Sequence, residues 1–274
     1  PRRAPFLCAP RIEAPPSRPR GPMTLRTLAA AALAAILIVA IAAAAWTGLR
    51  RVSGTEFVAL ESHPGFRRLA SGPGAAPAAS SGAGAALVGL DGRARPAPPT
   101  PGELCGLIWS APGVPAQGPL ASPQRIAVFS DANCPYCRRL DEIVAALAED
   151  RPDLRIVHHE WPVLGEGSRL AAAAQGAAEP MRRRLLAARF VITPAYLERA
   201  AAALDLDPAR LVREMRSRRV EAALAATSRA AETLGFLGTP AVVIGGTLVT
   251  GAVSRGAIDR LLALEADRSD APCR

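Results

Sequence analysis

Ile126-Ala127-Val128-Phe129-Ser130-Asp131-Ala132-Asn133-Cys134-Pro135-Tyr136-Cys137-Arg138-Arg139-Leu140 runs from four apolar residues, through two cysteines, into an amphipathic stretch that continues to Asp150. The pattern predicts a strand over Ile126–Ser130 and a helix over Pro135–Glu149, with the cysteines at the handover. At a helix N-terminus, free backbone N–H groups and the macrodipole favour an anion. An exposed first cysteine there can ionise below the free-thiol pKa of about 8.5. The two-residue spacer brings the second sulfur, one turn on, within reach of the first. Two other readings are half of a zinc site and a pair of core thiols. The remaining cysteines are Cys8, Cys105 and Cys273, and the histidines are His63, His158 and His159. None supplies a second ligand pair at matching spacing, so a redox dithiol is the reading adopted.

Downstream, Leu154–Trp161 reads as a second strand, which completes a β-α-β unit with a right-handed crossover. His158 and His159 fall on opposite faces of that strand and read as packing or surface residues. Helical patterns follow at Ser168–Ala178, from Pro180 through Arg189, and at Pro194–Leu204, Pro208–Arg219 and Val220–Leu234, each opening at or near Pro or Ser. Arg182-Arg183-Arg184 reads as a solvated helix face. Gly238-Thr239-Pro240 then leads into the apolar run Ala241–Ile244, the turn Gly245-Gly246, the run Thr247–Thr250 and a last helix over Ser254–Ala266. Pro240 cannot donate to a ladder and belongs at a strand entrance, where a cis peptide would expose the Thr239 backbone.

Upstream, residues 52–124 are harder to read. Phe57, Val58, Leu60, Phe66 and Leu69 suit a short element, and Ala86–Leu90 with Asp91-Gly92 a strand and turn. Ser71–Ala85 has linker composition. Pro96–Pro101 is a further break, and Pro112, Pro115, Pro119 and Pro123 predict an extended approach. Cys105 is either a small buried hydrophobe or the partner of Cys273, the candidate that remains in an exported chain.

Leu28–Trp46 is nineteen residues without a charge, which reads as an export segment: a signal-anchor, or a cleaved signal using Ala43 and Ala45. Either places the dithiol in an oxidising compartment. Met23 is the natural start of translation, which makes residues 1–22 an upstream extension. The 274-residue chain has a formal charge of +9, but residues 1–50 hold seven Arg and one Glu, which leaves +3 for the rest. Every basic side chain is Arg, with no Lys and no basic tract interleaved with aromatics. The composition therefore argues against a nucleic-acid partner.

The Cys-Pro-Tyr-Cys motif after a strand, the long helical insertion, Gly238-Thr239-Pro240 and the closing hairpin and helix resemble the DsbA family of thiol:disulfide oxidoreductases, over roughly Gln124–Ala266. The resemblance implies an α/β class, a thioredoxin fold with an inserted helical subdomain. It implies that Cys134 is the attacking and Cys137 the buried resolving cysteine, that Pro240 is a cis-proline, and that Pro135, Tyr136, Thr239 and Pro240 meet the substrate. It implies no cofactor beyond the Cys134–Cys137 disulfide. Relatives often carry a buried Glu six positions before the first cysteine; this chain has Val128 there, so resolution must use water or another group. Asp131 is expected at a solvent-facing turn, where it shapes the loop. The helix dipole with Arg138 and Arg139 is expected to favour the thiolate and Asp131 to oppose it, the alternative being that both Arg point to solvent. The N-terminal region matches no dimerisation module.

The chain is thus expected to comprise an extension over 1–22, a signal or anchor over 23–50, and an extension and linker over 51–123. The redox domain is expected over 124–266, with its insertion at about 165–234, and a tail over 267–274. The expected function is an exported, periplasmic oxidase of cysteine-containing proteins, with a membrane redox partner. A reductase or isomerase, and a peptide-binding module that does no chemistry, are the alternatives.

Overall fold

The computed structural model describes residues 56–70 and 97–273. The upstream extension over 1–22, the export segment Leu28–Trp46, the Ser71–Ala85 linker and the Ala86–Leu90 strand lie outside the described residues. Among the described residues no helix is long and apolar enough to cross a membrane.

A mixed seven-stranded sheet organises the molecule. In chain order its strands are β1 (Phe57–Ala59), β2 (Arg67–Leu69), β3 (Ala116–Gln117), β4 (Arg125–Ser130), β5 (Arg155–Glu160), β6 (Ala241–Ile244) and β7 (Thr247–Thr250). In space they run β1-β2-β7-β6-β4-β5-β3. β4 and β5 are parallel, with Val128 opposite His158 and Ser130 opposite Glu160, as a right-handed crossover through a helix requires. β6 lies antiparallel to β4, and β7 antiparallel to β6.

The alternation of side chains along β4 sorts the core into two layers. Ala127, Phe129, Val157 and Val243 face Leu104, Ile108 and Trp109 of α1 (Pro101–Trp109) and Ala230 and Ala231 of α7 (Arg218–Thr233). Ile126, Val128, Ile156 and Val242 face Leu140, Val144 and Leu147 of α2 (Pro135–Asp150) and Ile258, Leu261 and Leu262 of α8 (Arg255–Ala266).

Between β5 and β6 lie α3 (Glu166–Ala177), α4 (Glu179–Leu186), α5 (Pro194–Ala202), α6 (Pro208–Met215) and then α7. Side-chain oxygens of Thr193, Asp207 and Ser217 cap the last three of these by accepting from backbone N–H groups of the first turn. The pattern expected over Pro208–Arg219 breaks at Ser217, whose cap starts α7. Ala171, Ala174, Met181, Leu185, Ile192, Leu197 and Leu211 form a third core, and Ala132 of the cysteine loop is buried in it.

Three strands and a helix lie N-terminal to residue 124, so the sheet takes in part of what read as extension and linker. Ahead of the Pro112–Pro123 approach lies α1, a helix not read from the sequence, started by a reciprocal box in which Thr100 Oγ1 accepts from Glu103 N and Glu103 Oε2 accepts from Thr100 N. The β1–β2 hairpin is held to β7 through Arg67, which donates to Glu265 at 2.7 Å and to Thr247 Oγ1 at 2.9 Å. Gly245, at φ +56, closes the β6–β7 turn, and a Cβ there would lie 2.6 Å from Glu265 Oε2.

Cys105 of α1 is bonded to Cys273, with Cα atoms 5.3 Å apart and 168 residues between them in sequence. A loop that long is strongly restricted in the unfolded chain. The Cys105→Ala/Cys273→Ala variant is expected to lose about 2–5 kcal/mol. The check is the urea midpoint, with the Cys134–Cys137 pair held in one redox state in both proteins.

Candidate functional site

Cys134 ends the loop after β4 and is the N-cap of α2, with extended backbone (φ −83, ψ 117) and Pro135 as the first helical residue. The Cys134 N–H donates to Asp131 O at 3.0 Å, and Cys134 O accepts from Cys137 N at 3.1 Å and Arg138 N at 3.3 Å. These bonds wrap the first turn around the pair. Both cysteines are reduced in this structure.

Their surroundings push the two thiols in opposite directions. Cys134 is lowered to about 6, chiefly by a hydrogen bond with the Cys137 thiol; the Cys137 and Tyr136 N–H groups and Thr239 add to this, and burial opposes it. Cys137 is pushed up, first because its proton is held toward Cys134 and second by burial, while the Asp131 N–H, 3.4 Å from its sulfur, works the other way. The stabilisation comes from the helix terminus and the partner thiol. Arg138 and Arg139 are not among its causes: Arg139 is exposed, as the alternative reading had it, and Arg138 Nε points to Ala132 O at 3.5 Å.

The structure brings Thr239 to the pair. The Cys134 thiol lies 3.5 Å from Thr239 O as donor, and the Thr239–Pro240 peptide is cis. Pro240 is buried, and its carbonyl accepts from Gly251 N at 2.7 Å. Pro135 and Tyr136 are exposed, Tyr136 by 59%. Cys134 departs from expectation: only 4% of its surface is accessible. The loop carrying Thr239 covers it on one side, and Asn133, next in the chain, is tied to α3 by a 2.9 Å bond from its Nδ2 to Ser168 Oγ.

Asp131 is also buried, not solvent-facing. Its carboxylate accepts from Asn133 N at 2.8 Å, Ser168 Oγ at 2.8 Å, Val163 N at 2.9 Å and Leu164 N at 3.0 Å. It does shape the loop, by clamping it to the segment after β5 and to α3. Asp131→Ala would remove all four bonds, that of the buried Ser168 among them, and is expected to lower stability by about 2–4 kcal/mol, read as a fall in Tm.

Arg182 departs from its neighbours in the arginine run. Arg183 and Arg184 are exposed, while Arg182 is buried between α4, α2 and β5, paired with Asp141 and, at 3.4 Å, with Glu160. Burial raises Glu160 to about 7, against the pull of Arg182. Both histidines are buried, on opposite faces of β5. His159 stacks on Phe129 at 4.3 Å and bridges Ile108 O and Thr227 Oγ1, joining α1 and α7 to the sheet. Burial lowers it to about 4. Among the described residues no three His, Cys, Asp or Glu side chains are grouped as metal ligands.

Ser168, Val163, Leu164 and Leu237 were not read from sequence as part of the site, and Asp131 was read only as shaping a solvent-facing turn. Leu164 and Leu237 are exposed by 54% and 70% near the cysteine loop and the Thr239 loop. Each is an apolar residue followed directly by a glycine, Gly165 or Gly238, at a loop.

A family model described as Thioredoxin matches residues 110–263. A thioredoxin-like oxidoreductase from Silicibacter pomeroyi is 31% identical; the match covers 60% of this chain and 98% of that one, with a TM-score of 0.56. The thiol-disulfide exchange protein alpha-DsbA2 from Wolbachia pipientis is 17% identical over 60% of this chain and 94% of that one, with a TM-score of 0.54, a likeness of fold. The Na(+)/H(+) antiporter NhaA 3 of Salinispora tropica is 31% identical over 138 residues, 47% of this chain. The match spans 21%, about a fifth, of that protein's length.

Proposed function

The chain belongs to the thioredoxin family, and from that premise we propose that it is a thiol:disulfide oxidoreductase whose Cys134–Cys137 pair oxidises cysteines of exported proteins. The observation that carries this is the opposed ionisation of the two thiols: Cys134 is lowered to about 6 at the start of α2, beside a Cys137 that keeps its proton.

In the oxidised form a substrate thiolate attacks Cys134 Sγ. The Cys134–Cys137 bond breaks, its electron pair stays on Cys137, and Cys137 takes up a proton; the Asp131 N–H supports the sulfur meanwhile. A second substrate thiolate then attacks the substrate sulfur of the mixed disulfide. Cys134 leaves as a thiolate, two electrons have passed to the protein, and the substrate holds a disulfide. A leaving group ionised near neutrality makes that last step fast. Thr239 and Pro240 dock the substrate backbone, and Pro135 and Tyr136 meet it at the exposed edge. Stabilising the Cys134 thiolate stabilises the reduced form, which makes the disulfide more oxidising.

Export rests on two supports. Leu28–Trp46 would carry the domain across a membrane, either retained as an anchor or cleaved. The Cys105–Cys273 bridge suits a compartment where structural disulfides persist. The periplasm and a membrane redox partner that reoxidises the pair follow from this reading.

The deciding experiment is the equilibrium reduction potential of the full chain against glutathione. A value near about −120 mV is expected for an oxidase. A value near about −270 mV would replace it with the second reading, a reductase or isomerase using the same pair.

A further inference from the structure

Beside Pro135 a groove of about 650 Å³ opens between α2 and α4, with Ala145, Leu186 and Ala187 in its apolar lining. It begins one residue from Cys134. Arg138 and Arg139 rise from its α2 side, with Arg183 from α4 and Arg189 from just beyond it. Among the described residues none of these four has a carboxylate within ion-pairing distance. Asp141, also in the groove, is engaged by the buried Arg182, and Glu142 is the one other acid along it. Among the described residues, four guanidiniums without an ion pair thus line a groove that holds a single unpaired carboxylate.

We propose that this groove selects substrates carrying acidic residues around the reacting cysteine. The inference rests on the oxidoreductase reading and names the substrate class of that same site. A groove that starts at Pro135 receives whatever chain flanks a cysteine bonded to Cys134. Planar guanidiniums pair with carboxylates through two parallel N–H donors, so Asp and Glu side chains suit them. Their weight falls mainly on the encounter step, because exposed charges act chiefly on association.

The competing account is that a chain rich in Arg attracts any acidic peptide through its overall field. The test therefore uses the full chain in its disulfide form and two peptides, each with two cysteines, flanked by Asp and Glu in one and by Gln in the other. Each oxidised peptide gives two electrons and two protons to the Cys134–Cys137 bond, and the second-order rate is measured. The acidic peptide is expected to react about tenfold faster at low ionic strength, with the ratio approaching one in high salt.

In Arg139→Gln/Arg183→Gln/Arg189→Gln the ratio is expected to fall below about twofold. In Arg210→Gln/Arg213→Gln/Arg218→Gln, which removes the same number of exposed charges elsewhere, it is expected to hold. Equal rates for the two peptides in the unaltered protein, or equal loss of the ratio in both triple variants, would overturn the groove and leave the oxidoreductase reading standing. If neither peptide is oxidised, that reading fails and the groove falls with it.

Discussion

Cys134→Ser reduces thiol–disulfide exchange to the uncatalysed background, a loss of about a thousandfold or more, while Cys137→Ser arrests the reaction halfway. The asymmetry follows from the site. With Cys134 lowered to about 6, about nine tenths of it is thiolate at pH 7, against about 3% for a thiol at about 8.5. Cys137 is pushed the other way and is no nucleophile while folded. In Cys137→Ser the Cys134 thiolate can still open a disulfide peptide, one peptide sulfur bonding to Cys134 and the other leaving as a thiolate; with no Cys137 to displace it the mixed disulfide accumulates and can be seen by mass on non-reducing separation. A peptide-binding module with an idle dithiol would keep its function in Cys134→Ser. Retained activity in that variant would end the redox reading.

A second large effect lies in pH. Alkylation of the reduced protein by a small iodoacetamide should titrate with a midpoint near 6, well below the midpoint of about 8.5 for an unfolded thiol. Stability must follow. Because the folded pKa of Cys134 is depressed, its ionisation stabilises the reduced fold fully above about pH 8.5, and this is lost as pH falls through about 6. The oxidised form has no such thiolate. The Tm of the reduced protein relative to the oxidised one should therefore rise between pH 5 and pH 8. Above about 8.5 the raised Cys137 opposes the trend, since the unfolded chain can ionise it and the fold cannot. A difference that stays flat from pH 5 to pH 8 would contradict the assigned thiolate.

Much of this was legible before the fold was known, for local reasons. A strand, a turn and a helix around Cys134 are written in an apolar run, a proline at the first helical position and an amphipathic period. What escaped reading depends on distant partners. Asp131 looks like any turn aspartate until the chain after β5 returns and offers the Val163 and Leu164 N–H groups. Nothing separates Arg182 from Arg183 and Arg184 except which face of α4 packs on α2 and β5. Cys134 sits in an exposed-looking motif and is covered by a loop 105 residues later. The start of α1 was legible in principle, since Thr100 and Glu103 form a capping box, but prolines on either side masked it. Strands of two or three residues, such as β1, β2 and β3, carry too little pattern to stand out.

The placement of the Cys105–Cys273 bridge bears on chemical self-compatibility. A thiolate reactive enough to open foreign disulfides travels with one of its own. The bridge packs with the α1 layer, while Cys137 belongs to α2, whose apolar side chains form the layer on the opposite side of the sheet. Within one molecule, attack on Cys105 or Cys273 from the α2 layer would have to pass through strands or wait for them to separate. The sheet thus separates the helix of the catalytic pair from the bridge, and scrambling of the four sulfurs within one molecule should begin only once the protein unfolds.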